Sequence, residues 1–493
     1  MEKLYLSKSM YCKGKQCNKI LWMDKYKNEL AEDTMNENVL ENGNKVGNLA
    51  RKLFGEYHNI EFNKNLKEMI KETIEYIKKA PNIITEASFN YNNNFCSVDI
   101  LKNDIDGVEI YEVKSSSSIH DIYLDDVSYQ YFVLFNLGLN IKSANILYIN
   151  NQYVRKGELE LNKLFNIEDV TEIAISKQEE IKNKIEELKI YINQEEEDKD
   201  IGMYCFKPYM CPYFNYCARK LPENNVFNLK SGIKTSTMMK LYKEGLYDFN
   251  DLVNEDINKK NKQQIEFELY DKEDFIDKEK IKEFIDTLAY PIYFLDFETY
   301  QQPIPEYDGV KPYMQIPFQY SLHYIEYEGA KLEHKEFLAK AGEDPRRKLA
   351  ERLIKDIPMN VCVTAYNMSF EKTRILELAE LFPDLRNHLL NIHDNIKDLM
   401  IPFLKRWYYN KDMKGSYSIK FVLPALFPND PDLDYHKLPV VHNGGEAMNV
   451  FATLKEKPEE EQKIIRNGLL EYCKLDTLAM VKIWKKFEEI IKK

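Results

Sequence analysis

The stretch Ile-Tyr-Phe-Leu-Asp-Phe-Glu-Thr-Tyr at residues 292–300 decides how the C-terminal part of the chain is interpreted. It follows Pro291 and is almost wholly apolar and aromatic, which predicts a buried β-strand. Asp296 and Glu298 interrupt it, and both carboxylates lie on one side because strand side chains alternate with a period of two. Two carboxylates on one face of an apolar strand are costly to bury unless a cation neutralises them. The stretch therefore predicts a site for a divalent metal ion.

Three further side chains extend this set in chain order. Glu371 stands at the start of a predicted helix, just after a predicted strand at residues 360–366. Tyr472 and Asp476 are four residues apart near the C-terminus, so they share one face of a predicted helix. Each of these patterns also has a simpler explanation when it is taken alone. The two acids of the strand could face water at a sheet edge, and an acid or a Tyr–Asp pair at these helix positions is frequent by chance. All of them occur in order and in the expected structural settings, which favours a common site.

This set resembles the DnaQ-like exonucleases of the DEDD class, in their tyrosine variant, which are built on an RNase H-like sheet. The resemblance implies that Tyr472 orients the attacking water. It also implies that two Mg²⁺ or Mn²⁺ ions stabilise the entering and leaving oxygens of a phosphoryl displacement. The ligands implied are the four acids, Asp296, Glu298, Glu371 and Asp476.

The sequence departs from that family at one ligand. The family usually has Asp after the Phe, whereas this chain has Glu371, whose longer side chain shifts its reach toward a metal by about one methylene. Asp398 is an alternative ligand, or it merely ends a strand. Residues 414–420 and 444–447 fit the family's substrate-side loops loosely.

The N-terminal part carries an acid–hairpin–lysine arrangement. Two predicted strands are joined by an Asn- and Asp-Gly-rich hairpin connection at residues 103–107. Asp99 lies on the first strand, and Glu112 and Lys114 share a face of the second. The two acids can hold a divalent cation, while Lys114 can position water or offset charge that develops on a phosphate. A surface hairpin with one exposed acid–lysine pair is the alternative.

Gln130 follows on a predicted helix, and the whole order resembles the RecB-like branch of the PD-(D/E)XK nucleases. The resemblance covers most of residues 1–220. It implies a catalytic set, with the first two as metal ligands: Asp99, Glu112, Lys114 and Gln130. That branch often adds an acid or His from the first helix. Here His58 falls after that place, and Glu41 is only a weak candidate.

Four cysteines bracket this N-terminal region. Cys205, Cys211 and Cys217 have five residues between neighbours, and three thiolates this close are expected to bind a metal. Cys17 is the expected fourth ligand, with Cys12 as the alternative. The pattern resembles the iron–sulfur site of AddB-type and CRISPR-associated RecB-like nucleases, which implies a 4Fe-4S cluster, although the even spacing departs from that family. Zinc is the rival metal.

Composition sets the broad class. A chain of 493 residues, 44% of them hydrophobic, is expected to form two or three domains. It has no apolar run long enough to span a membrane and no secretory signal at its start, so a cytoplasmic location is expected. The net charge of −12 does not indicate a protein that coats nucleic acid non-specifically. It does not exclude nucleic-acid binding either, because nucleases combine acidic metal sites with local basic grooves. Three solitary cysteines are predicted to be buried small hydrophobes, Cys96, Cys362 and Cys473.

The sequence thus predicts an α/β chain of three parts. Residues 1–220 are a PD-(D/E)XK restriction-endonuclease-like domain with the cysteine cluster, residues 221–288 a helical connector, and residues 289–493 an RNase H-like domain of DnaQ type. The predicted function is a metal-dependent exonuclease whose partner is nucleic acid, with DNA single strands or ends favoured over RNA. A nucleic-acid-binding or scaffold protein of a defence or repair system, with one or both sites inactive, is the alternative.

Overall fold

The protein is described by a computed structural model that covers residues 5–32, 37–428 and 430–492, with the backbone alone for residues 37–39. It is a mixed α/β chain with several sheets. The chain forms two compact units. Unit 1 comprises Met1–Lys220 and Gln302–Met314, and unit 2 comprises Leu221–Gln301 and Gln315–Lys493.

Unit 1 combines a mixed sheet with α-helices. Its strands are β1 (Leu6–Ser7), β2 (His58–Asn59), β3 (Asn82–Tyr91), β4 (Asn94–Asp104), β5 (Gly107–Lys114), β6 (Ile141–Ile149) and β7 (Phe165–Asp169). Its α-helices are α1 (Lys8–Gln16), α2 (Asn18–Tyr26), α3 (Glu37–Arg51), α4 (Leu66–Ile77), α5 (Asp121–Asn136), α6 (Leu161–Leu164), α7 (Thr171–Ser176), α8 (Gln178–Tyr191) and α9 (Phe214–Ala218). Short 3₁₀ helices lie at Asn28–Leu30, Lys52–Phe54 and Met203–Cys205.

The sheet of unit 1 has the order β2-β3-β4-β5-β6-β7, and β1 pairs in parallel with β4. Two tight turns make β3, β4 and β5 antiparallel. The first uses Asn92 and Asn93, whose φ values of 47° and 64° suit a hairpin turn. The second precedes Gly107, which confirms the predicted hairpin. Tyr111 and Val113 pack into a hydrophobic cluster, so Glu112 and Lys114 lie on the opposite face of β5.

Residues 302–314 pack within unit 1. Arg155 donates from Nη1 to the carbonyls of Pro305 and Glu306, at 3.0 Å each. The Tyr313 hydroxyl donates to the Ser115 carbonyl, next to Lys114. These bonds explain why a segment from the middle of the chain belongs to the N-terminal unit.

Unit 2 contains the opening stretch as a strand. Its strands are β8 (Phe275–Ile276), β9 (Ile292–Tyr300), β10 (Ile316–Ile325), β11 (Glu333–Leu338), β12 (Cys362–Ala365), β13 (Ile396–Asp398) and β14 (Tyr408–Tyr409). Its α-helices are α10 (Thr235–Lys243), α11 (Phe249–Leu252), α12 (Lys259–Tyr270), α13 (Lys278–Ile285), α14 (Arg346–Asp356), α15 (Ser369–Leu381), α16 (Arg386–Asp394), α17 (Ile401–Leu404), α18 (Ile419–Leu426), α19 (Gly444–Thr453) and α20 (Glu459–Lys492). Short 3₁₀ helices lie at Val226–Asn228, Lys411–Met413, Pro431–Leu433, Tyr435–Lys437 and Leu454–Glu456.

The main sheet of unit 2 has the order β11-β10-β9-β12-β13. The pairs β9–β10 and β10–β11 are antiparallel, while β9–β12 and β12–β13 are parallel. On one face of β9, Leu295 and Phe297 pack in a cluster with residues of α14, α15 and α16. On the other face, Phe294 packs in a cluster with residues of α20, including Leu475 and Ala479. The alternation of the strand therefore places its two acids on the side of α20.

Residues 221–288 contribute α10 to α13 to unit 2. Several of their buried side chains form a separate small hydrophobic cluster, whereas Ile281 and Phe284 pack in the cluster that contains residues of α20. The small cluster includes Val226, Leu241, Phe249, Leu252 and Ile265. No helix within the described residues has the length and apolarity needed to cross a membrane.

Candidate metal centre

The strongest candidate site lies in unit 2, where β9 meets α20. Asp296, Glu298 and Asp476 bring carboxylate oxygens within 4.8 Å of one another, and they form the one such group of three found among the described residues. The three acids come from positions far apart in the chain, so only the packing of α20 on the sheet assembles them. Gln319 helps to hold that packing, because its side-chain amide donates to the Leu469 carbonyl of α20 at 2.7 Å.

Glu371 adds a fourth buried acid. It lies in the first turn of α15 and is 3% exposed. Its negative charge contributes to the raised pKa values of Asp296 and Glu298. Its Oε2 atom is buried and has no hydrogen-bond partner. Asp398, the alternative ligand, has a different role: its Oδ1 accepts from the backbone amides of Asn367 and Met400, both at 2.9 Å. Asp398 thus secures the end of β13, and Glu371 is the acid that keeps a carboxylate oxygen without a hydrogen-bond partner.

Two tyrosines and a cysteine surround these acids. Tyr472 is buried on α20, and it interacts electrostatically with Asp296, Glu298 and Asp476. The Tyr435 hydroxyl donates to Asp476 Oδ1 at 2.6 Å. The Cys473 thiol lies 3.7 Å from Asp296 Oδ2. The site therefore has two hydroxyl groups beside its acids.

Burial and mutual repulsion perturb the acids strongly. Burial raises the pKa of Asp476 to about 7, although the Tyr435 and Tyr472 hydroxyls and Lys420 favour its ionised form. Burial, followed by repulsion from Asp398, raises the pKa of Glu371 to about 8. The pKa values of Asp296 and Glu298 are also raised, first by burial and then by the neighbouring acids. Ionising all four carboxylates at neutral pH without a cation therefore costs considerable electrostatic free energy.

A cleft of about 590 Å³ opens beside Tyr472 and Asp476. Apolar groups of α18, Leu423 and Pro424 among them, form part of its wall. Polar groups form the rest, namely Lys420, Asp434, Tyr435, His436, His442, Asn443 and Glu446. The two segments predicted as substrate-side loops reach this cleft only in part. Lys420 lines the cleft and a Cβ at Gly444 would be 3.6 Å from Glu298 Oε2, but residues 444–447 form the first turn of α19 rather than a loop.

The donor set of unit 2 fits a divalent cation. Carboxylate oxygens are the ligands that Mg²⁺ and Mn²⁺ prefer. Two oxygens bound to one Mg²⁺ at about 2.1 Å lie at most about 4.2 Å apart. Oxygens already within 4.8 Å need only small movements to reach that spacing. The partnerless Oε2 of Glu371 adds a further ligand atom near the group.

Unit 1 brings its four predicted residues together, but in a different way. Glu112 is 2% exposed and accepts from Lys114 at 2.8 Å and from the Gln130 amide at 2.5 Å. Lys8, the first residue of α1, donates to both Glu112 oxygens at 2.8 and 3.0 Å. Asp99 accepts from the Val113 amide at 2.7 Å. Protein cations and amides therefore already occupy the Glu112 carboxylate.

The charges of this second site reflect those contacts. Burial alone would raise the pKa of Glu112, but Lys114 and Lys8 lower it to about 2. Burial and the Glu112 charge raise the pKa of Asp99 to about 7. Lys114 also forms a 2.5 Å ion pair with Asp126. In this arrangement the residues of unit 1 do not fit a metal at Glu112 unless a donor such as Lys8 moves away.

The weak candidates for an added ligand in unit 1 have other partners. Glu41 pairs with Lys45 at 2.7 Å. His58 lies 2.6 Å from Glu72 and stacks on the Tyr76 ring. Both side chains are thereby occupied by contacts outside the Glu112 network.

Four cysteines line one small pocket of unit 1, Cys17, Cys205, Cys211 and Cys217. Cys12 lies elsewhere, with its thiol 3.3 Å from Asp126 Oδ1. Burial raises the pKa of Cys205 to about 11 and that of Cys211 to about 12, so a bound metal would have to displace their protons. Of the two candidates for fourth ligand, Cys17 is the one in the pocket. No cysteine group of the described chain meets the 4.8 Å spacing that the unit 2 acids meet.

The structure adds four side chains that sequence reasoning did not select, Lys8, Asp126, Tyr435 and Cys473. Lys8, Tyr435 and Cys473 contact predicted residues that lie 104, 41 and 177 positions away along the chain, whereas Asp126 lies on α5, the helix that also carries Gln130, and contacts Lys114. Ser7 before Lys8 is a recognisable helix N-cap, but nothing local indicates that the lysine reaches Glu112. Cys473 is buried, as the sequence predicts, but its thiol also lies beside Asp296, and its position next to Tyr472 is the sequence signal that points to this contact.

Residues 293–418 match the model of a family described as a domain of unknown function (DUF2779). The match covers Asp296, Glu298 and Glu371 but ends before Tyr472 and Asp476. No curated protein and no solved structure matches the chain.

Proposed function

We propose that the chain is a metal-dependent nuclease whose principal active site is the acid cluster of unit 2. The observation that carries this proposal is the convergence of Asp296, Glu298 and Asp476 within 4.8 Å, with the buried, partnerless Oε2 atom of Glu371 as a further oxygen. Such a cluster is expensive to fold without a cation and suits divalent metals. A bound divalent cation lowers the pKa of water and stabilises charge on a phosphate.

The chain's own groups would then bind and orient the reactants. Burial and the neighbouring acids raise the pKa of Tyr472 far above neutrality, so its hydroxyl stays protonated and can orient a water molecule rather than act as a base. Tyr435 holds Asp476 in place through its 2.6 Å bond. Lys420 is the cation that lines the cleft, where it can contact a phosphate. The apolar wall of α18 can contact a nucleobase.

We include in the proposal that unit 2 is RNase H-like and of DnaQ type. The sheet order, with an antiparallel β10 beside the acid strand and two parallel strands on the other side, supports it. The positions of the acids on β9, α15 and α20 support it as well. The expected substrate is DNA, with single strands or ends preferred over RNA.

Unit 1 is proposed as a RecB-like PD-(D/E)XK domain. Its support is the joining of Asp99, Glu112, Lys114 and Gln130 on two antiparallel strands and a helix. The four-cysteine pocket supports a metal or 4Fe-4S cluster there, with zinc as the rival. A cytoplasmic location and a role in repair or phage defence stay predictions.

A second function is favoured for unit 1 by one observation. Lys8, Lys114 and Gln130 already saturate the Glu112 carboxylate, which accepts four hydrogen bonds. A site neutralised by its own lysines suits a nucleic-acid-binding module that does not cut. In that case the chain has one active site, in unit 2.

Cleavage assays with matched variants separate these possibilities. Labelled single-stranded DNA and RNA are incubated with Mg²⁺ or Mn²⁺ and the parent protein, Asp296→Asn or Lys114→Ala. Controls are Asp286→Asn, which removes an exposed charge paired with Lys282, and Lys102→Ala, which removes a half-buried charge paired with Glu109. We expect Asp296→Asn to abolish cleavage. If the parent protein leaves the substrate intact under every condition, the nuclease proposal is refuted. If Lys114→Ala is the one variant that loses cleavage, the active site lies in unit 1 instead.

A further inference from the structure

Arg406 is a buried cation of unit 2 without an acidic partner. It is 7% exposed, and its guanidinium stacks on the Tyr409 ring at 4.2 Å. Nη2 donates to Ser231 Oγ at 3.1 Å and to the Gly415 carbonyl at 2.6 Å. Nε and Nη1 are buried and have no hydrogen-bond partner. All of its identified contacts are therefore with neutral groups.

The other buried arginines of this unit are neutralised. Arg346 forms an ion pair with Asp344 at 2.7 Å, and Arg374 forms one with Glu377 at 2.8 Å. A buried charge is costly unless an opposite charge accompanies it. Arg406 differs from these two arginines, because it forms no ion pair with a side chain in the part of the chain that the structure describes.

Two lysines extend this positive charge toward solvent. Lys260 lies in the first turn of α12, half-buried over the Tyr417 ring at 5.8 Å, and Lys405 is exposed beside Arg406. Burial lowers the pKa of Lys260, and the charges of Arg406 and Lys405 lower it further. Neither lysine pairs with a carboxylate in the described part of the chain. The three cations form a cluster in which nothing acidic offsets their repulsion.

We propose that Lys260, Lys405 and Arg406 form an anion site for a phosphate of a nucleic-acid backbone. The accessible ammonium groups of the two lysines would contact phosphate oxygens, and the guanidinium behind them would add to the positive potential. The proposal rests on the nuclease function proposed above and extends it, because it assigns a substrate contact outside the acidic cleft.

The chain connects this cluster to the cleft. Gly415, which accepts from Arg406, and Tyr417, whose ring lies under Lys260, belong to the segment that leads into α18. Lys420 of α18 lines the cleft. The Tyr366 hydroxyl holds the segment by donating to the Tyr417 carbonyl at 2.6 Å. A nucleic-acid strand whose end enters the cleft could therefore continue along this segment toward Lys260, Lys405 and Arg406.

The test measures binding apart from cleavage. Affinity of the full chain for a fluorescent single-stranded DNA is measured in EDTA over a series of salt concentrations, for the parent and for Lys260→Gln/Lys405→Gln. The control is Lys280→Gln/Lys282→Gln, which removes the same charge from exposed lysines of α13 that pair with Glu283 and Asp286. Each lost phosphate contact should reduce the slope of log K against log salt by about 0.7. The double variant removes both lysines that contact this one phosphate, so it should lose about 0.7 in slope and bind roughly fivefold more weakly near 0.1 M salt.

Each outcome decides the proposal. A loss confined to the Lys260/Lys405 variant supports it, and equal affinities or equal losses in both double variants overturn it. Inorganic phosphate is titrated at constant ionic strength as a second probe. If the Lys260/Lys405 variant loses phosphate binding but keeps its DNA affinity, the site takes free phosphate and the nucleic-acid assignment is overturned. Cleavage in Mn²⁺ is measured separately. If the parent protein binds DNA through these lysines but never cleaves it, the nuclease function is refuted. If the parent protein cleaves DNA but its DNA affinity does not depend on these lysines, this anion site alone is refuted.

Discussion

Replacing Asp476 by asparagine should stabilise the metal-free protein at neutral pH. Asp476 lies within 4.8 Å of two other carboxylates, and burial raises its pKa from 3.8 to about 7. Asparagine keeps the shape and the oxygen that accepts from Tyr435, but it removes the charge. The substitution therefore separates the electrostatic cost of the site from its packing.

The size and the pH dependence follow from the pKa difference. A group whose pKa is higher in the folded protein destabilises the fold wherever the unfolded chain is ionised. The cost is absent below pH 3.8, grows as the pH rises from 3.8 to about 7, and is full above pH 7. A difference of about 3 pKa units at 1.36 kcal/mol each gives an upper limit of about 4 kcal/mol. At pH 8 in EDTA, Asp476→Asn should exceed the parent in unfolding free energy by up to that amount.

Denaturant unfolding followed by tryptophan fluorescence provides the assay. Trp407 and Trp484 belong to unit 2 and Trp22 to unit 1, so a Trp22→Phe background makes the signal specific to unit 2. Measurements are made at pH 5 and pH 8, in EDTA and in Mn²⁺. The gain from Asp476→Asn should be smaller at pH 5. In Mn²⁺ the parent should recover about 2.7 kcal/mol at a hundredfold excess over its Kd, and the variant should not.

Two results would refute this reasoning. One is an equal unfolding free energy for the parent and the variant at pH 8 in EDTA. The other is a parent protein that Mn²⁺ does not stabilise. Asp286→Asn, which removes an exposed carboxylate paired with Lys282, is the matched control and should show neither effect.

Three further predictions concern other parts of the chain. Lys8→Met removes two of the four hydrogen bonds that Glu112 accepts, so Mn²⁺ affinity measured by electron paramagnetic resonance should rise in unit 1; an unchanged affinity would show that this lysine does not limit metal binding. Tyr472→Phe should lower the cleavage rate roughly 100-fold while Mn²⁺ affinity stays the same, and a normal rate would exclude its role in orienting water. Cys211→Ser should remove visible absorbance and iron and lower the melting temperature, whereas Cys12→Ser should keep the metal; a colourless, zinc-containing parent would contradict the 4Fe-4S prediction.

Local patterns in the sequence were sufficient to predict several elements. Alternation placed Asp296 and Glu298 on one side of a buried strand, which β9 confirms. The Asp-Gly connection predicted the hairpin that presents Glu112 and Lys114 on one face. Tyr472 and Asp476 share a helix, as their spacing predicted. These predictions succeed because side-chain direction in a strand or helix depends on a few neighbouring residues.

The tertiary structure decided which of these residues meet and which charges face them. Lys8 reaches Glu112 across 104 positions, and Cys473 lies beside Asp296 across 177. The absence of an acid beside Arg406, among the described residues, likewise depends on which loops pack around it. The sequence by itself determined the acids, their strand and helix settings and their likeness to nuclease motifs. Only the fold determined that the unit 2 acids face one another while lysines neutralise Glu112 of unit 1, because burial and Coulomb energies depend on distances in space rather than along the chain.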